Sequence, residues 1–122
     1  DSVKLADFLN RNSQNRLPIF LEVNVAEEGT KSGFNFNDVM QAVTEIGRMP
    51  NLEIRGLMTI APWVRDPEEV RPVFRRLREL RNSLGLAELS MGMTDDFEVA
   101  IEEGATLVRI GRAIFGERSC SL

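Results

Sequence analysis

Short apolar runs alternate with amphipathic segments along this chain of 122 residues, and that alternation limits its fold more than any other feature. Four runs rich in β-branched and apolar residues are too short for core helices and are predicted as strands. They are Leu17–Val25, Leu52–Ile60, Leu86–Met91 and Thr106–Ile110. Strands separated by helices form right-handed βαβ units, so the pattern predicts an α/β fold with a parallel sheet.

The helices are predicted from apolar spacing and from residues that start or stop a helix. They are Asp1–Asn12, a segment capped by Asn35 or Asn37 that ends near Pro50, Asp66–Gly85, and a short helix opened by Asp95 and Asp96. In the third helix, Asp66 is expected to accept a hydrogen bond from the Glu69 amide. Pro72 conflicts with the helical pattern there, which predicts a kink or a separate first turn at Arg71-Pro72.

Two local details complete this pattern. In the short helix, Glu98 is expected to form a capping box with Asp95, and Phe97, Ala100 and Ile101 are expected to face the core. Within the second strand, Gly56 predicts a close backbone approach.

Four strands amount to half of an eight-stranded (β/α)8 TIM barrel, which needs roughly 250 residues. The chain therefore looks like half a barrel, with both edges of its sheet open. Open edges and an uncovered inner face predict pairing with the missing N-terminal half or with a second copy that completes the barrel.

Composition narrows the possible functions. The chain has 15 basic and 19 acidic residues, so its charge of −4 attracts neither nucleic acid nor an anionic membrane. No apolar run approaches the roughly 20 residues needed to span a bilayer, and a cytoplasmic location is predicted. A single Cys120, no His and no Tyr argue against a metal site and against the usual acid and base groups. We therefore predict neither a catalytic residue nor a metal ligand in this chain.

Two motifs near the end of the chain predict an anion site. Glu88–Phe97 and Val108–Arg112 each begin as an apolar run and stop at Gly with hydroxyl or basic residues. Loops after the last two strands of such barrels often bind phosphate, so we interpret the pair as one phosphate cup.

Individual residues of the cup have predicted roles. Thr94, with Ser90 behind it, supplies the hydroxyl, and the amides of Gly111 and Arg112 supply backbone donors. The alternative role for Thr94 is a helix N-cap, and the two roles are compatible. Met58 is predicted to line the pocket or simply to belong to the core.

The third helix is strongly basic. We interpret its arginines as a solvated face paired with Glu68, Glu69 and Glu79, in preference to a nucleic-acid surface. These arginines are Arg71, Arg75, Arg76, Arg78 and Arg81.

Four motifs in order resemble the YggS/PROSC family of pyridoxal-phosphate homeostasis proteins. They are Leu21–Val25 with Lys31–Phe34, Arg55–Ile60, Ser90–Phe97, and Val108–Gly111 with Ile114–Arg118. The resemblance implies the alanine racemase N-terminal barrel, of which this chain is the C-terminal half. It also implies binding of pyridoxal 5′-phosphate (PLP) as a Schiff base, without established racemase activity.

The resemblance assigns Arg109 to the pyridine nitrogen of PLP, where an arginine weakens the cofactor as an electron sink. The alternative is a structural arginine paired with Glu22 or Asp95. Arg112 stands where the family more often has Thr or Ser, which either adds charge to the phosphate site or replaces a hydroxyl contact.

The family's Schiff-base lysine belongs to the N-terminal half, which nothing here matches. Lys4 lies on a predicted helix and Lys31 in a loop, so this chain is not expected to hold PLP covalently. The leading hypothesis is a non-enzymatic PLP homeostasis protein. The alternatives are a PLP-dependent amino-acid racemase or another phosphate-binding barrel enzyme, and a non-catalytic module that binds a partner through its arginine-rich helix.

Overall fold

The computed structural model describes residues 3–26, 33–110 and 120–121, the last two by backbone alone. The helices of this α/β chain are α1 (Val3–Asn12), α2 (Val39–Gly47), α3 (Arg71–Leu84) and α4 (Phe97–Glu102). The strands are β1 (Leu17–Asn24), β2 (Phe34–Asn35), β3 (Leu52–Met58), β4 (Glu88–Met93), β5 (Leu107–Arg109) and β6 (Cys120–Ser121).

The sheet is parallel throughout, in the order β2-β1-β3-β4-β5, with β6 also pairing with β1. The predicted α/β fold with a parallel sheet is therefore confirmed. Two short strands that were not predicted, β2 and β6, both pair with β1, so β1 does not form an edge of the sheet. These strands have two residues each, too few for a periodic pattern to predict them. Within the described residues, β5 pairs with β4 alone.

The middle of β1 is buried on both faces. Ile19, Phe20 and Leu21 follow one another in sequence, yet each has at most 4% of its surface exposed. Neighbouring residues of a strand point to opposite faces, so both faces of β1 are covered, as is usual in parallel sheets. This burial explains why the strand reads as a nearly continuous apolar run.

The start of the third helix is split as predicted. A 3₁₀ turn over Pro67–Val70 precedes α3, which begins at Arg71. The predicted partner of the Asp66 side chain is wrong, because it accepts from the Glu68 amide at 3.0 Å. The Glu69 amide instead donates to the Asp66 carbonyl at 2.9 Å, since the tight 3₁₀ turn brings that oxygen within reach.

The predicted caps of the other two helices are wrong. The N-cap of α2 is Asp38, which makes no side-chain cap bond, and its amide donates to the Asn35 carbonyl at 3.0 Å. The N-cap of α4, Asp96, likewise makes no side-chain cap bond. Its Oδ1 accepts from the Met93 amide at 2.7 Å, so this carboxylate stabilises the turn after β4 instead.

The core-facing side of α4 agrees with the prediction at Ala100 and differs from it at Ile101. Val99 and Ala100 are buried, whereas Ile101 is 52% exposed. In a helix of six residues the apolar spacing is too short to fix the buried face, and neighbouring elements decide it.

The close approach predicted at Gly56 is confirmed. A Cβ atom there would lie 2.6 Å from the carbonyl carbon of Glu88 on β4 and closer still to its oxygen.

Across the part of the chain that the structure describes, no helix is long and apolar enough to cross a bilayer. The same residues contain no group of three or more His, Cys, Asp or Glu side chains arranged to hold a metal ion.

Candidate functional site

The candidate site lies where β3, β4 and β5 end. Met58 on β3 pairs with Ser90 on β4, and Met93 at the end of β4 pairs with Arg109 at the end of β5. The three strands are parallel, so their carboxyl ends meet at one edge of the sheet. In α/β folds this edge is the usual place for ligand sites.

Arg109 crosses from β5 to the end of β3. Its Nη1 lies 3.5 Å from the Met58 sulfur, and its Nη2 donates to the Thr59 carbonyl at 3.4 Å. Met58 and Thr59 are buried and Arg109 is half-buried. Two predicted site residues, Met58 and Arg109, are therefore in contact, although their predicted motifs are about 50 residues apart in sequence.

Thr59 is a member of this site that the sequence reasoning did not single out. Its hydroxyl donates to the Val23 carbonyl at 2.7 Å, and its amide donates to the Ser90 carbonyl at 3.1 Å. A threonine in an apolar run predicts only a strand. Its burial and its three hydrogen-bonding partners depend on the neighbouring strands, so they are known only from the structure.

The two predicted hydroxyls lie in different surroundings. Ser90 is buried within β4, whereas Thr94 is exposed in the turn that follows. Thr94 lines a cavity of about 290 Å³ between the 3₁₀ turn and the start of α4. Six carboxylates share that lining, namely those of Asp66, Glu68, Asp95, Asp96, Glu98 and Glu102. Like charges repel, so a phosphate near Thr94 is disfavoured inside this cavity.

Three residues with predicted roles lie outside the described residues: Gly111, Arg112 and Lys31. Lys4 is exposed on α1, in agreement with its predicted place on a helix.

The arginines of α3 face a buried acid. Glu103, which follows α4, is only 4% exposed and accepts hydrogen bonds from Arg71 at 2.8 Å and from Arg75 at 3.3 Å. Arg78 forms a third ion pair with it at 3.1 Å, and Arg71 also pairs with Glu68. Pairing through Glu68 is confirmed, but the other carboxylates that pair with these arginines in the described residues are Glu102 and Glu103, not the predicted Glu69 and Glu79. Helix α3 packs against the segment after α4, which periodicity alone does not predict.

The ion pairs shift the pKa values of three of these side chains, Glu103, Glu68 and Arg71. Hydrogen bonds from Arg75 and then Arg71 hold the pKa of Glu103 below its usual range, against the opposing effect of burial. The hydrogen bond from Arg71 likewise lowers the pKa of Glu68. The carboxylates raise the pKa of Arg71, with Glu68 contributing most. Glu68, Arg71 and Glu103 are therefore ionised at neutral pH.

Curated proteins resemble this chain closely. The pyridoxal phosphate homeostasis protein of Aquifex aeolicus is 51% identical over 106 residues, which cover 82% of this chain and 46% of that protein. The human protein of the same name is 40% identical over 136 residues, covering 99% of this chain and 50% of its own length. The chain thus spans about half the length of the curated relatives it matches.

Solved structures agree with this relationship. PipY of Synechococcus elongatus PCC7942, solved with PLP bound, matches with a TM-score of 0.81 and 30% identity, over 95% of this chain and 58% of that one. Alanine racemase of Corynebacterium glutamicum, at 17% identity, shares the fold with a TM-score of 0.64 over 93% of this chain and 32% of its own.

The family model described as the N-terminal domain of alanine racemase matches residues 1–119. The match spans nearly the whole chain, and the two curated relatives named above share one name. The chain belongs to the alanine racemase N-terminal domain family, and within it to the YggS/PROSC pyridoxal phosphate homeostasis proteins.

Proposed function

We propose that the protein that carries this chain binds PLP, and that this half supplies Arg109 to the pyridine nitrogen and the cup to the phosphate. The observation that carries the proposal is the contact of the Arg109 guanidinium with Met58 and Thr59 at the carboxyl ends of the strands. The relative solved with PLP bound supports it, since it shares the fold over 95% of this chain.

The described residues fit the ring of PLP. Met58 offers an apolar, polarisable surface, and Arg109 offers a cation beside it that cannot give up its proton. A cation there disfavours protonation of the ring nitrogen, so the bound cofactor is a weak electron sink. PLP supplies a reactive aldehyde when bound, and Arg109 limits the chemistry that can follow. This arrangement favours a carrier over a broad amino-acid catalyst.

The proposed phosphate site is argued from where its residues lie in the chain and in the sheet. Ser90 lies within β4 and pairs with Leu107 at the start of β5, and Thr94 directly follows β4. Gly111 and Arg112 follow β5 in the sequence. We assign the phosphate to the Thr94 hydroxyl and to the amides of Gly111 and Arg112, with Ser90 behind. The acidic cavity beside Thr94 keeps the anion outside it, on the side of β5.

The assignment is tested by titrating PLP into the protein that carries this chain and following its absorbance. We expect Arg109→Gln and Thr94→Ala each to weaken PLP binding by roughly tenfold, the scale of one charge-assisted hydrogen bond. Arg109→Gln should also shift the absorbance maximum, because the charge beside the ring is lost. Arg48→Gln, at the exposed C-cap of α2, is the matched control.

Unchanged PLP affinity and spectrum in the Arg109→Gln, Thr94→Ala double variant would refute the assignment. The carrier role is tested separately by incubating the PLP-loaded protein with L-alanine and measuring D-alanine. Turnover at rates typical of enzymes would favour the racemase alternative. We also propose that the lysine that binds PLP covalently lies outside this chain. The cytoplasmic location stays a prediction.

A further inference from the structure

Thr59 is among the most buried polar residues of the described chain. It directly follows β3 and has 2% of its surface exposed, and it shares this burial only with Ser90 and Glu103 among the polar and charged residues that the structure describes. A buried hydroxyl costs free energy unless it is hydrogen-bonded, so its partners define what the residue does.

The partners of Thr59 belong to three different strands. Its hydroxyl donates to the Val23 carbonyl on β1 at 2.7 Å, and its amide donates to the Ser90 carbonyl on β4 at 3.1 Å. Its own carbonyl accepts from Arg109 on β5 at 3.4 Å. One residue thus connects the guanidinium to the two strands that flank β3.

The hydroxyl makes the connection to β1. Backbone pairing of β1 with β3 ends at Glu22 and Met58, immediately before Thr59. Past that point the bond from Thr59 to Val23 holds the two strand ends together. Valine has the same shape as threonine but no hydroxyl donor, so Thr59→Val would remove this hydrogen bond to the Val23 carbonyl. The end of β3 would then no longer be held to β1, and the carbonyl of residue 59, which accepts from Arg109, would be free to move.

We propose that Thr59 is the positioning residue for Arg109, fixing the carbonyl against which the guanidinium is held and thereby its place beside the PLP ring. The inference rests on the proposed function for the ligand, but the contact from Thr59 to Arg109 exists without it. Thr59 itself need not touch the cofactor. Its effect on PLP binding should therefore pass through Arg109.

The test is a double-mutant cycle of Thr59→Val and Arg109→Gln, measured as PLP affinity in the protein that carries this chain. Thr59→Val alone should weaken binding by about fivefold, the scale of one neutral hydrogen bond. In the Arg109→Gln background it should weaken binding by less than about twofold, because no guanidinium is left to position.

Thr106→Val is the matched control. The Thr106 hydroxyl also bonds to backbone, accepting from the Leu89 amide at 2.9 Å and donating to the Leu89 carbonyl at 3.1 Å, and Leu89 is not the residue whose carbonyl accepts from Arg109. It should lower stability and leave PLP affinity within about twofold. The proposal is wrong if Thr59→Val weakens PLP binding no more than Thr106→Val does. It is also wrong if Thr59→Val weakens binding equally with Arg109 present and with Arg109→Gln, because Thr59 then has only a structural role.

A second measurement needs no PLP and uses the same protein that carries this chain. With methyl-labelled methionine, the Met58 resonance reports the guanidinium that lies 3.5 Å from its sulfur. Thr59→Val should move this resonance in the direction that Arg109→Gln moves it, while exposed Met40 serves as an internal reference. An unmoved Met58 resonance overturns the inference. If the unsubstituted protein binds no PLP, the proposed function fails, whereas the resonance still decides the role of Thr59.

Discussion

Gly56→Ala tests the packing of β3 against the start of β4. Gly56 pairs with Glu88, and an added Cβ would lie 2.6 Å from the Glu88 carbonyl carbon and 3.0 Å from its Cα. Ordinary van der Waals contact begins at 3.4 Å, so the carbonyl carbon would have to move by about 0.8 Å and its oxygen by more. The obstacle is backbone, so no side chain can rotate away to relieve it.

The cost follows from what this movement disrupts. Overpacking in a core costs about 1 to 3 kcal/mol. The pairing of β3 with β4 comprises three residue pairs, and each hydrogen bond lost from it adds about 1 kcal/mol. We expect Gly56→Ala to lower the free energy of unfolding by about 3 to 4 kcal/mol, a large fraction of the roughly 5 to 15 kcal/mol that stabilises a typical domain.

The assay is urea unfolding followed by circular dichroism at one fixed protein concentration. With a slope of about 1.5 kcal/mol per molar urea, the midpoint should fall by about 2 to 2.7 M. Gly47→Ala in α2 is the matched control, because nothing lies within 4 Å of its added Cβ, and it should raise stability by about 0.5 to 1 kcal/mol. A Gly56→Ala midpoint within about 0.5 M of the unsubstituted chain would refute the reasoning.

Two further predictions concern pH and assembly. Because the folded-state pKa of Glu103 is lowered, its contribution to stability should be complete above the unfolded value of about 4.3 and lost as the pH falls through the folded value. Urea unfolding of Glu103→Gln should thus show a deficit at pH 7 that shrinks at pH 3, and a deficit equal at both would contradict the linkage. The isolated chain should self-associate through β5, where Leu107 is 41% exposed and, within the described residues, β4 is the one paired neighbour. Light scattering that finds a monodisperse, folded species of 13.8 kDa would contradict this.

The long strands were predictable because a strand that is buried on both faces has a nearly continuous run of apolar residues. The apolar run in β1 and the glycine in β3 each have one simple structural cause, namely coverage by neighbouring elements and contact with the backbone of Glu88. Helix ends were less predictable. The Asp66 side chain bonds to the Glu68 amide and the Asp96 side chain to the Met93 amide, and the local turn geometry decides this choice, which sequence spacing does not show.

The candidate site was predictable where it depended on strand order alone. The placement of Met58 near Arg109 follows from parallel strands that end at the same edge, and the structure brings the two side chains into contact. Thr59 was not predictable, because a threonine between apolar residues has the same pattern whether its hydroxyl is exposed or bonded to another strand. Only the three-dimensional position of the Val23 carbonyl distinguishes these cases.

Glu103 shows why the main partner of the basic helix could not be predicted from the sequence of that helix alone. Arg71, Arg75 and Arg78 are spaced by four and three residues, so they share one face of α3, and that spacing fits both a phosphate backbone and an acidic partner. In the fold, Glu103 lies beside all three, with Glu68 and Glu102 also pairing with Arg71. Three guanidinium groups thus meet three carboxylates, and the cluster carries no net charge. A nucleic-acid phosphate would have to replace hydrogen bonds to a carboxylate that is almost fully buried, and the charge left behind there would oppose its binding. This face of α3 therefore stabilises the packing of α3 against the end of α4, the helix that connects the turn of Thr94 to the strand of Arg109.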